Sequence, residues 1–189
     1  MIYLLLGLII FFGVHAVRML APGYRLGQIE ALGEGPWKGM YSAASIAGLA
    51  LIIWGWMHFR EYAPDIYFPP DWSRHIAAML VLFASILIFA AYLPTGRIKA
   101  AVGHPFLLAV ILWSIAHLVA NGDLASVLVF GSFLIYAVWN RIAVAGRPEP
   151  APVFVSVRGD ILAIVMGLLA YVIFALWIHS WLFGVAPMG

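Results

Sequence analysis

Apolar residues fill long stretches of this chain at nearly every position, and polar residues gather in short patches between those stretches. A bilayer-spanning helix needs roughly 17–25 mostly apolar residues, and six runs qualify: 2–20, 39–58, 75–94, 105–121, 124–143 and 160–183. A helix that is apolar all round has no face to offer water, so runs of this kind belong in lipid. Each of the 11 prolines falls at a run edge or between runs. Backbone groups in lipid must be satisfied internally, so that placement predicts six mostly unbroken helices and no strands. The expected fold is all-α, one integral membrane bundle forming a single domain over residues 1–189. Only Gly122-Asp123 separates the fourth and fifth runs, which predicts a tight helical hairpin. Pro148, Pro150 and Pro152 predict a stiff extended linker within 147–160, with Asp160 as N-cap of the last helix.

Composition sharpens this picture. Of 189 residues, 65% are hydrophobic and 10% charged, against about 25% charged in a typical soluble domain. Without cysteine, disulfides, thiolate metal sites, iron–sulfur clusters and cysteine nucleophiles are excluded. The net charge of +2 is too small for a nucleic-acid surface, and the basic residues sit between apolar runs. Arg18, Arg25, Lys38, Arg97, Lys99, Arg141, Arg147 and Arg158 occupy the first, third and fifth loops, while the second holds only Arg60 and Arg74. Eight against two places the odd loops in the cytoplasm and both termini outside. Trp54, Trp56, Trp72, Trp139, Trp177 and Trp181 then fall near the interfaces as an aromatic belt. No positive segment precedes the apolar run 1–16, so it reads as a retained anchor and not a cleaved signal.

No Asp, Glu, Lys or Arg lies in the middle of any run, and no run is interrupted, which disfavours a proton- or ion-coupled transporter. The polar groups left inside are few. Ser114, His117 and Asn121 share one narrow face of the fourth helix at 100° per residue. His117 therefore reads two ways, as a packing residue bonded to a neighbouring helix or as a metal or haem ligand. His15, with Phe11, Phe12 and Met19 nearby, reads first as packing and second as lining an apolar cofactor slot. His104 starts the fourth helix, thirteen residues before His117. That is roughly 20 Å along the axis and about 140° around it, so these two cannot hold one metal. His15 and His117 are expected at depths differing by on the order of 10 Å, which a tilted haem plane accommodates. His58, His75 and His179 read as interfacial. Zinc-protease, di-iron and paired-carboxylate chemistries find no support in the spacing.

Several segments together resemble the NnrU family of bacterial membrane proteins: GVHAVR at 13–18, GEGPWKGMYSAASIAGLALIIWG at 33–55, GHPFLLAVILWSIAHLVANGDLASVLVFG at 103–131, RGD at 158–160 and HSWLFGVAP at 179–187. The resemblance implies a multi-pass protein of the bacterial inner membrane, associated with nitrite and nitric oxide reduction. That family is similar in turn to the 15-cis-zeta-carotene isomerases, membrane enzymes with a b-type haem. The resemblance implies His15 and His117 as haem-iron ligands, with His104 as a further site residue; Ser114 and Asn121, on the His117 face, complete the expected cofactor-binding set. The isomerases carry a cysteine one turn before the second ligand where this chain has Ser114. The implied activity is redox or isomerase chemistry on a lipophilic or small nitrogen-oxide substrate, with lipid and a respiratory or redox protein as partners. The competing expectations are a non-enzymatic accessory protein and, from His104-Pro105 alone, a methyltransferase using S-adenosylmethionine.

Overall fold

The apolar runs fold as helices because each sustains its own backbone hydrogen bonds over a length that lipid requires. In a computed structural model, which describes residues 1–146 and 150–187, the helices are α1 (Ile2–Leu20), α2 (Pro22–Leu32), α3 (Glu34–Phe59), α4 (Ser73–Tyr92), α5 (Arg97–Val102), α6 (Pro105–Ala120), α7 (Leu124–Ala145) and α8 (Val157–Phe183). The all-α expectation holds among the described residues. Five of these helices, α1, α3, α4, α7 and α8, are long and apolar enough to cross a membrane. The fourth expected span is α6, which is apolar but only 16 residues long. That is about 24 Å of helix against a hydrocarbon core of roughly 30 Å. Its ends are set by Gly103 at φ 71°, a non-helical His104 before Pro105, and an extended Asn121.

Two segments expected as loops are helical. Pro22 opens α2 at a position where its missing N–H costs nothing, and Gly33 at φ 88° closes it. The last helix is not regular throughout, since Phe174–Ile178 forms a π turn. Of the expected proline linker, Arg147, Pro148 and Glu149 lie outside the described residues. Over the rest of it, Thr95 O accepts from Val155 N at 2.8 Å and from Ser156 N at 3.2 Å.

The described chain divides into two compact units, Met1–Pro64 with Asp123–Ser132, and Asp65–Gly122 with Phe133 onward. In the first, α1 packs along α3 through glycines. A Cβ on Gly7 would meet Ile52 N at 2.6 Å, one on Gly48 would meet Phe11 N at 2.8 Å, and one on Gly55 would run into the Leu4 backbone. Without those methyls the two backbones approach closely, the usual source of helix adhesion in lipid. Trp56 adds a polar tie, donating from Nε1 to the buried Ser126 hydroxyl at 3.1 Å.

In the second unit α4 is the hub, packing on α6 and α8. Ala84, Leu87 and Ala109 are buried at the α4–α6 contact under Leu108, Leu112 and Trp113. Ser85 on α4 donates to Leu82 O at 2.7 Å and lies 3.0 Å from Gly167 O on α8. The expected N-cap role of Asp160 is corrected here. Ser156 caps α8, its hydroxyl accepting from Arg158 N at 3.2 Å. Asp160 sits a turn further in and accepts from Arg97 N at 2.7 Å and Ile98 N at 2.9 Å, capping α5. The close approach needs Gly96 and Gly159, whose added Cβ atoms would collide with the Asp160 carboxylate and with Pro94 O. Asp160→Ala therefore costs about 1–2 kcal/mol of stability, read as a lower thermal midpoint in detergent, while Ser156→Ala costs less because it loses one neutral bond.

Candidate functional site

The site residues expected from the sequence begin with the two histidines, and each sits where its own helix fixes its tautomer. His117 lies in the last turn of α6, half-buried, with Nδ1 2.8 Å from Trp113 O. A carbonyl only accepts, so Nδ1 carries the proton and Nε2 bears the lone pair. His15 on α1 does the same toward Phe11 O at 2.7 Å. This is the arrangement that orients a metal-binding imidazole, one ring N–H held by a carbonyl and the other nitrogen turned to the metal. The pose by itself is not diagnostic. Exposed His58 repeats it with Trp54 O at 2.9 Å, which shows that it is an ordinary resting place for a histidine four residues past a carbonyl.

The surroundings separate the cases. Ser114, one turn before His117, is 0% exposed, and its Oγ has no hydrogen-bond partner among the described residues. A serine in a helix commonly satisfies itself on a carbonyl three or four residues back, and this one does not. Leaving it unmatched costs about 1–3 kcal/mol. Trp113 packs beside His117 with ring centroids 4.9 Å apart and reaches Phe133 at 5.4 Å.

Asn121 shares the His117 end of the helix, but its side chain is engaged there. As the extended residue after α6 it donates to His117 O from both its backbone N at 2.9 Å and Nδ2 at 2.8 Å, closing the helix. A second device holds the same end. Tyr67 donates its hydroxyl to the carbonyls of Leu118 and of Asn121, the latter at 2.8 Å. Gly122 O accepts from Ile66 N at 2.8 Å, and a Cβ at Gly122 would collide with Tyr67 O. The loop after α3 thus latches the end of α6 that carries His117. His104 lies at the opposite end, as N-cap of α6, its backbone N bonded to Val102 O at 2.8 Å. The structure does not bring it to His117. His179 follows the π turn of α8 with Nδ1 2.7 Å from Val185 O.

Around His15 the structure adds residues that the sequence reading did not single out. The His15 ring stacks on Phe11 at 4.2 Å and 28°, and lies 5.3 Å from the Tyr41 ring on α3. These side chains line an open groove of about 260 Å³ with Ser42, Ser45, Ile46 and Leu49. The available signal was the polar cluster Tyr41-Ser42 and Ser45 in an otherwise apolar run, one helical turn apart. Tyr67 had no such signal, because its role depends on a contact 51 and 54 residues away.

Among the described residues no three His, Asp or Glu side chains gather as a bare metal ion would require. Two imidazoles are enough where a porphyrin supplies the other four ligands. No curated protein and no solved structure matches the chain. A family model described as NnrU protein matches residues 3–187. With nearly its whole length matched and five long apolar helices, the chain belongs to the NnrU family of multi-span membrane proteins.

Proposed function

We propose that this protein binds haem b in the bacterial inner membrane through His15 and His117. The observation that carries the reading is the buried, unpartnered Ser114 hydroxyl beside a histidine whose Nδ1–H is already fixed. A polar atom left unmatched inside a membrane helix marks a place where the packing is not optimised for stability alone. The donor set fits the group: two imidazoles, each with its Nδ1–H held by a backbone carbonyl, in spans without thiolate or carboxylate competitors. Bound there, haem would supply one-electron chemistry, or a Lewis-acidic iron if one imidazole gave way, for redox or isomerase chemistry on a lipophilic or nitrogen-oxide substrate.

The chain's own residues do the positioning. Phe11 O and Trp113 O hold the two Nδ1 protons and so aim the Nε2 lone pairs. Asn121 and the Tyr67 latch fix the end of α6, and with it the height of His117. Apolar packing around Trp113 keeps water from the His117 side. The topology that accompanies this reading has six spans, counting α6 with its flanking residues, with odd loops in the cytoplasm and both termini outside.

The test is expression with haem supplied, purification in detergent and a pyridine haemochrome assay. The reading expects b-type haem approaching one per chain. Protein that folds, stays monodisperse and carries no haem leaves both histidines as packing residues and the protein as a non-enzymatic accessory.

A further inference from the structure

The groove between α1 and α3 has features that define an occupant. None of its lining side chains is formally charged apart from the titratable His15, so it does not suit an ion. Its rim is apolar and open, with Ile46 68% and Leu49 41% exposed on a helix long enough to span a membrane. Its floor is aromatic, formed by the stacked Phe11 and His15 rings, a lining that suits a ring. A volume of about 260 Å³ admits a head of one or two rings and leaves any tail outside.

Its wall carries hydroxyls of both polarities. Ser45 donates its proton to Tyr41 O at 2.8 Å, so its oxygen keeps acceptor capacity. Ser42 brings an O–H group that can donate, while the Tyr41 hydroxyl is bonded to Ser45. Such a wall can bond a ring carbonyl through Ser42 and a ring hydroxyl through Ser45.

We propose that this groove is the entry and binding site for a neutral lipophilic molecule with a ring-sized, oxygen-bearing head, of the quinone class, arriving sideways from the bilayer. The proposal deepens the reading above by naming the substrate class at the His15 side, and rests on that reading only for calling the ligand a substrate.

The test uses the full chain in nanodiscs with a photoreactive azido-quinone bearing a decyl tail, its attachment mapped by peptide mass spectrometry. Label is expected within residues 11–15 and 41–49, displaced by decylubiquinone and not by decylbenzene, which has the tail and ring without the oxygens. Labelling falls about tenfold or more in the Ser42→Leu/Ser45→Leu double variant, which removes the hydrogen bonds. It also falls in Ile46→Trp, a change at an exposed position that closes the opening, keeps the hydroxyls and leaves the fold intact if the double variant does not fold. Label elsewhere, equal displacement by decylbenzene, or undiminished labelling of Ile46→Trp would overturn the proposal. Haem content of the same samples separates the two readings. Haem without groove labelling overturns this inference alone, and groove labelling without haem overturns the iron assignment alone.

Discussion

Replacing His117 by alanine is expected to abolish the low-spin spectrum of the proposed haem. An imidazole donates a σ lone pair that no neighbour on α6 can substitute: Ser114 offers a neutral hydroxyl and Asn121 is bonded to His117 O. Losing a directly bound ligand costs more affinity than the roughly 10–100-fold that changes in a ligand's supporting partners cost. His15→Ala gives the same loss of low-spin character. His104→Ala, at the far end of α6, leaves the spectrum as it was, and so does His58→Ala on the exposed end of α3. The last variant matters because His58 shares the ring pose of the two proposed ligands. If it altered the spectrum as His117→Ala does, the distinction drawn from Ser114 would be wrong. Absorbance and electron paramagnetic resonance of the four variants in detergent make the comparison.

A second large effect, on stability, belongs to Gly55. A side chain there is driven into the backbone of Leu4, and Leu4 is itself 0% exposed, so neither chain can yield by rotating a side chain. Gly55→Val separates α1 from α3 and costs at or above the upper end of the 1–3 kcal/mol typical of overpacking, about 3 kcal/mol. Gly39, on the same helix, has nothing within 4 Å of an added Cβ. Gly39→Ala is neutral or stabilising by up to about 1 kcal/mol, because alanine favours the helix. Thermal unfolding of the two variants in one detergent gives opposite signs relative to the parent. A Gly55→Val protein as stable as the parent would mean that α1 and α3 do not pack through this glycine.

These glycines mark the boundary of what the sequence makes legible. Hydropathy alone places α1, and places α3, α4, α7 and α8 to within a few residues at their ends, since lipid demands the same length and apolarity of each. It gives no sign of α2, whose apolar residues are too few to register as a run, nor of the π turn in α8. Gly48 is visible as a small residue, but its partner, Phe11, appears only in three dimensions. Asp160 stands near the start of an apolar run and so reads as that helix's cap, yet its carboxylate caps α5 across 62 and 63 residues of chain. Local pattern finds caps made by neighbours and misses caps made across the fold.

The candidate site divides in the same way. His15, His117 and Ser114 stand out as polar residues in apolar runs, and helical periodicity puts Ser114 beside His117. The engagement of Asn121 with His117 O follows from the helix ending at Ala120, a boundary that an apolar run does not reveal. The groove wall of Tyr41, Ser42 and Ser45 gains meaning only from its position opposite His15.

The most direct measurement of the central claim is near-infrared magnetic circular dichroism of the oxidised, haem-loaded protein, in which the ligand-to-iron band reports both axial ligands at once. The account predicts a bis-histidine band in the parent, lost in both His15→Ala and His117→Ala. A band from any other ligand pair, or a bis-histidine band that survives either substitution, would contradict it.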